Sequence, residues 1–278
     1  MPPITEKRAR FRELHESGCF ALPNPWDIGS ARYLQHLGFK ALATTSAGYA
    51  FSRGLPDGAV GRDAMLAHVR EIAEASDLPV NADFENGYAD DANGAAENVR
   101  LCVEAGAAGV SLEDNSGRKD KPLYELEHAT ERVRAAHEAI HGSGAMLVAR
   151  AECFLVGIED IDEVIRRLTS YAEAGADCLY APGISEREHI KVVVEAVAPK
   201  SVNLLISGPG GLTMRDAAEL GVRRVSVGGA LARAAWGGFV RAAKTLAEEG
   251  TFEGFADAAP FADLNGFLRD DMQKRGQA

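Results

Sequence analysis

The chain has 278 residues, of which 46% are hydrophobic and 26% are charged, and its formal net charge is −11. These values are ordinary for a globular protein with a sizeable core, and the length allows one large domain or two small ones. The negative charge argues against nucleic acid and anionic membranes as partners. An acidic protein can still bind an anionic small molecule where it concentrates positive charge locally.

The cysteines and the N-terminal sequence indicate in which cellular compartment the protein is expected. The four cysteines are widely separated and form no Cys-x-x-Cys pair, so free thiols in a reducing compartment are expected. The first residues, MPPITEKRARFREL, are charged and lack the apolar core of a signal peptide. No run approaches the roughly 18 apolar residues of a membrane helix. A cytoplasmic location is therefore expected.

Short apolar segments alternate with helical patterns along the chain. A helix is predicted over 5–17, with Thr5 as its N-cap and Gly18 at its end. The predicted strands are 19–22, 41–45, 80–83, 109–112, 146–149, 178–180, 202–206 and 222–227. The predicted helices after them are 28–37, 62–76, 93–104, 125–141, 158–174, 185–197, 213–220 and 230–249, with a further helix at about 260–271. The segments 46–48 and 49–61 are predicted loops.

Eight consecutive strand–helix units predict an α/β fold of the (β/α)8 TIM-barrel type. Four of the predicted helices end in the same way, which supports a series of repeated strand–helix units. Each is followed by a glycine suited to the left-handed conformation: Gly38, Gly106, Gly175 and Gly221. A doubly wound open sheet is the alternative, and the absence of a linker favours the barrel. The prediction is one domain over 1–278, with the barrel at about 19–249 and a C-terminal helical extension at 250–278.

Acidic residues stand where predicted strands end, whereas the strand bodies read as apolar. Asp83 and Glu85 are two residues apart, so at strand periodicity they project to the same side. Glu113 ends the next strand, and barrels carry function at these carboxyl ends. Mg²⁺ prefers such oxygen ligands and keeps several waters, so a metal site is predicted. The competing interpretation is that these acids cap helices or form ion pairs at the rim.

Other strand ends offer further candidates. Arg150 ends the fifth strand and could hold a carboxylate or a developing oxyanion, or simply pair with a neighbouring acid. The segment 45–48 could offer backbone N–H groups to an anion. The glycine-rich segments 207–211 and 228–229 follow strands seven and eight, where many barrels bind phosphate. A barrel acting on a phosphorylated metabolite is therefore a competing hypothesis. No histidine falls at a strand end, which counts against a His-ligated zinc or iron site.

With these segments in view, the chain resembles the isocitrate lyase/phosphoenolpyruvate mutase superfamily over nearly its whole length. The resemblance is carried by the segments 24–27, 41–57, 81–89, 111–114, 149–152, 173–183 and 221–235. It implies a (β/α)8 barrel whose last helix is exchanged with a neighbouring subunit, in a homodimer or homotetramer. It also implies Mg²⁺ or Mn²⁺, a 2-oxo- or 2-hydroxy-carboxylate substrate and an enolate-type intermediate.

The resemblance also implies roles for individual residues. Asp83 matches the metal-ligating Asp of the family, Glu85 stands where a second Asp is usual, and Glu113 matches a Glu near the metal. Asp57 matches the acid that contacts metal-bound water, and Arg150 matches the Arg that neutralises the enolate. The catalytic residues expected on this basis are Arg150, Asp57 and Glu113. The substrate-binding residues expected with Arg150 are Thr45, Ser46, Ala47 and, as a weaker match, Asn203.

One segment departs from the lyases of the superfamily. Isocitrate and methylisocitrate lyases carry a catalytic Cys in a loop after the fourth strand, whereas 114–123 reads DNSGRKDKPL here. The leading hypothesis is a Mg²⁺-dependent carbon–carbon lyase or decarboxylase acting on a small 2-oxo- or 2-hydroxy-di- or tricarboxylate. The alternatives are an enzyme of P–C bonds, of the phosphoenolpyruvate mutase or phosphonopyruvate hydrolase type, and a non-catalytic barrel that binds an oxo-acid. The acid–base group is open among Tyr49, Lys119, Lys121, Glu152 and Cys153.

Overall fold

Eight parallel strands curve into a nearly closed barrel in the computed structural model, which describes residues 1–276. The strands are β1 (Phe20–Leu22), β2 (Leu42–Ala43), β3 (Val80–Asp83), β4 (Gly109–Glu113), β5 (Met146–Arg150), β6 (Cys178–Tyr180), β7 (Ser201–Leu205) and β8 (Arg224–Ser226). Their order in the sheet is β1, β8, β7, β6, β5, β4, β3, β2. The (β/α)8 prediction is therefore confirmed. The last two residues of the predicted extension 250–278 lie outside the described residues.

Helices connect the strands and surround the barrel. They are α1 (Ile4–Leu14), α2 (Ile28–His36), α3 (Ser46–Ser52), α4 (Arg62–Ala75), α5 (Ala92–Glu104), α6 (Leu126–Ile140), α7 (Ile161–Glu173), α8 (Arg187–Val197), α9 (Met214–Glu219), α10 (Ala230–Lys244) and α11 (Phe261–Lys274). Helix α4 shows why they pack: Met65, Val69 and Ile72 recur at helical spacing and are fully buried. Burial of each such side chain contributes roughly 1.5–3 kcal/mol, so apolar contact holds the barrel wall together.

The gap between β1 and β2, at the two ends of the strand order, is bridged at the carboxyl side. The Ala43 N–H donates to the Pro23 carbonyl at 3.0 Å. The Asn24 side chain adds three bonds, since its Nδ2 donates to the Thr44 carbonyl at 2.8 Å and its Oδ1 accepts from two backbone N–H groups just after β8, at 3.0 and 2.9 Å. Asn24 therefore ties the ends of β8, β1 and β2 together beside the site described below.

Two sequence predictions in the N-terminal half are wrong in detail. Helix α1 begins at Ile4 after a proline that makes no side-chain cap bond, so Thr5 is not the N-cap. The segment 46–48, predicted as a loop, is the first turn of α3. Thr45 explains this, because its hydroxyl oxygen accepts the N–H of Gly48 at 3.1 Å and so caps the helix. The predicted loop 49–61 consequently starts only after Ser52.

The C-terminal helices leave large apolar side chains on the surface. The exposed fractions are 42% for Trp236 and 61% for Phe239 on α10, and 82% for Phe261 on α11. Helix α11 packs against α2, where the rings of Tyr33 and Phe267 meet at 5.2 Å. Exchange of the last helix between subunits, the oligomeric state and the domain bounds stay predictions. Within residues 1–276, no helix is long and apolar enough to cross a membrane.

The inward faces of several strands carry polar side chains, which corrects the expectation of apolar strand bodies. Asn81 Nδ2 donates to Ser111 Oγ at 2.9 Å, and Asn203 Nδ2 donates to Ser226 Oγ at 2.9 Å. Asn203, predicted at a strand end, lies in the middle of β7. Arg224 is buried beside it and donates from Nε to Asn203 Oδ1 at 2.8 Å. These mutual bonds satisfy groups that could not otherwise be buried, and they give the barrel a polar interior.

His15 closes this interior from the amino-terminal side of the barrel. Its Nδ1 lies 2.7 Å from the Phe11 carbonyl oxygen and therefore donates to it. Its Nε2 is then the accepting nitrogen, and it faces Arg224 Nη1 at 3.4 Å. Burial, with the nearby Arg224 cation, lowers the pKa of His15 to about 3. The folded protein thus keeps this histidine neutral.

We predict that His15→Gln makes the fold less sensitive to acid. Between pH 6.5 and about pH 3 the unfolded chain binds a proton at His15 that the folded chain refuses, so the wild-type free energy of unfolding falls as the pH falls. At pH 5 this residue accounts for a loss of about 2 kcal/mol. Urea unfolding at pH 7.5 and pH 5 measures the effect, with the exposed His36→Gln as control. An unchanged pH dependence in His15→Gln would contradict the neutral histidine.

Candidate active site

A cavity of about 610 Å³ opens at the carboxyl ends of the strands and extends into the barrel. Its walls contain every site residue that the sequence predicted: Thr45, Ser46, Ala47, Asp57, Asp83, Glu85, Glu113, Arg150 and Asn203. The strand ends and the first turn of α3 therefore bring these residues to one place. Their individual roles stay predictions.

Asp83, the last residue of β3, has both carboxylate oxygens bonded. Its Oδ1 accepts from Arg150 Nη1 at 2.8 Å. Its Oδ2 accepts from the backbone N–H of Ser46 at 2.9 Å and from the Ser46 hydroxyl at 3.0 Å. Ser46 reaches Asp83 because the Thr45 cap turns α3 across the end of β3. The Ser46 N–H group that could hold a substrate anion is thus engaged by the protein's own carboxylate in this arrangement.

Arg150, the last residue of β5, joins three carboxylates. Its guanidinium forms ion pairs with Asp83 at 2.8 Å, with Glu152 at 2.8 Å and with Glu113 at 3.3 Å. It also lies 4.9 Å from the ring centre of Tyr180, in cation–π contact. The register explains the arrangement, because Glu113 pairs with Arg150 across β4 and β5, and Tyr180 follows on β6. Ion pairing and a place in the cavity coexist, so the two interpretations of Arg150 are compatible.

Carboxylates outnumber cations in the upper part of the cavity. Burial raises the pKa of Glu85 to about 7, even though the Tyr88 hydroxyl donates to it at 3.0 Å. Burial and the neighbouring Glu152 raise the pKa of Glu113 well above its usual range. Burial and the nearby Asp83 raise the pKa of Asp57. Several carboxyl groups therefore share one guanidinium here, and burial makes the charged form of these three acids less favourable than in water.

A second buried group supports this cluster from behind. Asp114 Oδ2 accepts from Arg167 Nη1 at 3.0 Å and from the Tyr171 hydroxyl at 2.7 Å. Its Oδ1 accepts the backbone N–H of Glu152 at 2.8 Å. The two adjacent acids thus have different roles. Glu113 faces the cavity, whereas Asp114 fixes the backbone at Glu152.

The donor set suits a hard divalent cation. Within residues 1–276, no group of three His, Cys, Asp or Glu side chains is arranged so that it could hold a metal ion. Mg²⁺ does not require such a group, because it commonly binds through one or two carboxylates and keeps several waters. The available donors are carboxyl oxygens, the ligand type that this cation prefers, and a bound cation would favour their deprotonated form. Asp83, Glu85 and Glu113 stay the predicted ligands of Mg²⁺ or Mn²⁺.

Several residues in the cavity escaped the sequence prediction. Tyr88, Tyr180, Ser226 and Arg224 line it, although none was a predicted site residue. The available signal was alternation: Arg224 and Ser226 are polar residues two apart with the apolar Val225 between them, so they share a face. The prediction considered only the residues at strand ends and therefore did not include these two residues within the strand.

The structure also separates the acid–base candidates. Among the described residues, Glu152 is the one of the five that lines the cavity. Cys153 is fully buried, and burial raises the pKa of its thiol to about 12. Tyr49 stacks on His68 at 3.8 Å, and Lys121 forms an exposed ion pair with Glu125.

The glycine-rich segment 207–211 lines a separate cavity of about 300 Å³. Hydrophobic, glycine and serine residues form the described walls of this cavity, and no Lys or Arg is among them. A phosphate group would require positive charge or a helix N-terminus there. The hypothesis of a phosphorylated substrate at this loop therefore gains no support.

Comparison with known proteins decides the family. The family model for phosphoenolpyruvate phosphomutase matches residues 11–247. The chain belongs to the phosphoenolpyruvate phosphomutase family. The predicted resemblance to the isocitrate lyase/phosphoenolpyruvate mutase superfamily is thereby confirmed, and so, at the level of the family, is the prediction of a lyase.

Three relatives illustrate the match. A Burkholderia cenocepacia structure named as a lyase/mutase is 48% identical, with a TM-score of 0.93, and the match covers 96% of this chain and 97% of that one. An oxaloacetate decarboxylase of Pseudomonas putida is 32% identical over 242 residues, 81% of this chain and 80% of that protein. The structure of an oxaloacetate acetylhydrolase with its product oxalate is 26% identical, with a TM-score of 0.86 and 99% of both chains covered.

The segment 114–123 of this chain is a short ribbon. Asn115 pairs with Leu123 in antiparallel fashion, and the Ser116 N–H donates to the Pro122 carbonyl at 2.8 Å. The ribbon contains no Cys or His, and Asn115 lines the cavity. Proton donation by a loop cysteine is therefore not open to this member of the phosphoenolpyruvate phosphomutase family.

We predict that Asp114→Asn destabilises the protein by about 2 kcal/mol. Loss of the carboxylate leaves Arg167 with less compensation in a buried place, and removal of one partner from a buried ion pair is costly. The effect stays below the usual 3–5 kcal/mol because Glu163 still pairs with Arg167 at 2.7 Å. Urea unfolding compares this variant with Asp120→Asn in the exposed ribbon. Equal stability of the two variants would show that Asp114 does not anchor the site.

Proposed function

We propose that this protein breaks a carbon–carbon bond in a small 2-oxo dicarboxylate, with oxaloacetate as the foremost candidate, in a reaction that needs Mg²⁺ or Mn²⁺. The observation that carries the proposal is the Arg150 guanidinium held among Asp83, Glu113 and Glu152 at the carboxyl ends of the strands. Two relatives support the substrate class, namely the oxaloacetate decarboxylase and the oxalate-bound acetylhydrolase. The class extends to 2-hydroxy acids and tricarboxylates.

Each residue type has a defined task in this proposal. A divalent cation held at Asp83, Glu85 and Glu113 would supply Lewis-acid polarisation of the 2-oxo group. The N–H groups at the first turn of α3 would hold the adjacent carboxylate once Asp83 turns from the Ser46 N–H to the cation. Arg150, which donates to carboxylates in the present arrangement, would direct N–H groups to the oxygen on which negative charge develops. Its planar fork suits this task better than a point charge.

The proposed reaction moves the electron pair of the broken carbon–carbon bond into an enolate. In decarboxylation of oxaloacetate, the bond between C3 and C4 breaks and CO₂ leaves. The electron pair of that bond enters the enolate of pyruvate, and a proton then adds to C3. The transition state carries more negative charge on the C2 oxygen than the ground state does. Hydrogen-bond donors that are already placed at this oxygen therefore lower the activation barrier of the reaction, rather than merely tightening substrate binding.

A second candidate function acts on P–C bonds. The name of the matching family model, phosphoenolpyruvate phosphomutase, is the observation that favours it. Such an enzyme would use the same acids and the same arginine for a 2-oxo acid with a phosphonate in place of the far carboxylate. Release of inorganic phosphate from phosphonopyruvate, without pyruvate formation from oxaloacetate, would establish this candidate.

We predict that oxalate, a planar mimic of the enolate, raises the melting temperature only when Mg²⁺ is present. The cation and Arg150 together match its two carboxylates, whereas the cavity acids repel it when a chelator removes the metal. Asp83→Asn should abolish the shift, and the exposed Asp257→Asn should retain it. An equal shift with Mg²⁺ and with chelator would contradict a metal-dependent enolate site.

We predict that the protein forms pyruvate from oxaloacetate with Mg²⁺ faster than the metal alone does. Arg150→Lys should lower kcat by about 10²–10³-fold, because it keeps the charge but loses the paired donors. Pyruvate formation coupled to a reporter dehydrogenase measures the rate. An oxalate shift without turnover of oxaloacetate, 2-hydroxy acids or phosphonopyruvate would instead establish the non-catalytic oxo-acid-binding barrel.

A further inference from the structure

We propose that Arg224 forms an anion subsite on the floor of the cavity and takes the far carboxylate of the substrate. This inference rests on the proposed function for the position of the 2-oxo end, and it makes the protein selective for dianions over monocarboxylates of the same length. It assigns a binding task to a residue inside the barrel, well below the strand-end acids.

The first observation is a buried cation without an anionic partner. Arg224 is 1% exposed, yet it lines the same cavity as Arg150. Its hydrogen bonds run from Nε to Asn203 Oδ1 at 2.8 Å and from Nη1 to Asn81 Oδ1 at 3.3 Å. Both acceptors are neutral amides. Among residues 1–276, no carboxylate forms an ion pair with Arg224, in contrast to Arg150 and its three.

The second observation is that the other neighbours are also neutral. His15 turns its lone pair at Nε2 toward Arg224 Nη1, and its other nitrogen is committed to the Phe11 carbonyl. The Phe11 ring lies 5.9 Å from the guanidinium carbon. Burying a charge is costly unless an opposite charge compensates it. A structural arginine would normally have an acid beside it, so the missing anion is expected to come from a ligand.

The third observation is the hydrogen-bonding capacity that remains. A guanidinium has five N–H donors in a planar fork. In the described part of the chain, the bonds of Arg224 start from Nε and Nη1, which leaves the Nη2 donors for the cavity. The bonds to Asn203 and Asn81 come from opposite sides of the barrel, β7 and β3, and hold the fork in place. The group is therefore fixed before a ligand arrives, which reduces the entropy cost of binding.

The strand register places Arg224 below Arg150. The row Arg150, Tyr180, Asn203, Arg224 follows the hydrogen-bonding direction across β5, β6, β7 and β8. Strands of such a barrel tilt by about 36° and lie about 4.8 Å apart, so three steps lower the row by roughly 8 Å along the barrel axis. Contact with His15 on the amino-terminal side agrees with this depth.

This separation suits a short dicarboxylate. The end carbons of an extended five-carbon acid lie about 5 Å apart, from bonds of about 1.5 Å, and a hydrogen bond adds about 3 Å. A five-carbon 2-oxo dicarboxylate, whose far carboxylate is not the group lost from C3 as CO₂, can therefore place its 2-oxo end at Arg150 and that carboxylate at Arg224. A methyl group in the place of that carboxylate would leave the buried cation uncompensated.

The test uses two five-carbon acids that differ only at the far end, 2-oxoglutarate with a carboxylate and 2-oxopentanoate with a methyl group. Their dissociation constants are measured by calorimetry and thermal shift on the full chain, with Mg²⁺ and with chelator. Wild-type protein should bind 2-oxoglutarate about 10- to 100-fold more tightly, as expected for charge-assisted hydrogen bonds. Arg224→Met should remove this preference, while oxalate still shifts the melting temperature as in wild type.

A matched control and a stability readout separate binding from a structural role. Arg223→Met changes the neighbouring arginine, which is half-buried and donates to the Gly18 carbonyl at 2.6 Å, and should keep the preference. Ligand-free Arg224→Met should melt no lower than wild type, because it removes an uncompensated buried charge. If Arg224→Met does not fold, Arg224→Gln takes its place with the same expectations.

Two outcomes would overturn the proposal. One is a wild-type protein that binds the two acids equally with and without Mg²⁺. The other is an Arg224 variant that keeps the preference, or that melts lower without ligand and loses oxalate binding as well, which would show a structural role. Failure of the proposed function is distinct, since it appears as a missing oxalate shift. A preference for 2-oxoglutarate would then still be measured in the absence of metal, because Arg224 needs none.

Discussion

The ion pairs of Arg150 with Asp83, Glu113 and Glu152 are the interaction on which the site depends. Three strands must end at the same level for these groups to meet, and the parallel register of β3, β4 and β5 provides this. Without the guanidinium, the acids would face one another in a partly buried space and repel. The arginine therefore keeps a charged cavity folded while no ligand is bound, and the same donors are placed to meet a substrate oxygen. The hydrogen-bond donors of Arg150 thus serve both the stability of the folded protein and the binding of a substrate.

Buried ion pairs and hydrogen bonds behind the cavity also hold the strand ends in place. Asp114 cannot reach the cavity, because it points the opposite way from Glu113, as neighbouring strand residues must. It meets Arg167 and Tyr171 instead and holds the Glu152 backbone. On the other side, Asn24 ties β8, β1 and β2 at the same level. The strand ends are thus fixed from two sides, which pre-organises the groups between them.

Sequence reasoning predicts the barrel and the cavity rim because both depend on local patterns. Eight apolar segments alternating with helices predict the fold, and acids at strand ends predict Asp83, Glu85 and Glu113. Two features were beyond its reach. The α3 helix depends on a single cap at Thr45 that overrides the turn preference of Ser-Ala-Gly. The partners of Arg150 depend on side chains that meet across three strands, and spacing along one strand does not contain that information.

The polar interior has a further consequence for the charge of the whole cavity. Acids dominate its upper part, and the buried Arg224, beside the neutral His15, Asn81 and Asn203, dominates its floor. An anion that enters alone meets repulsion first and attraction only at depth. A cation bound at the rim removes the repulsion, after which both ends of a dianion meet positive charge. Metal dependence and selectivity for dianions would then arise from one separation of charge along the barrel axis, between acids at the carboxyl ends of β3 and β4 and an arginine at the start of β8.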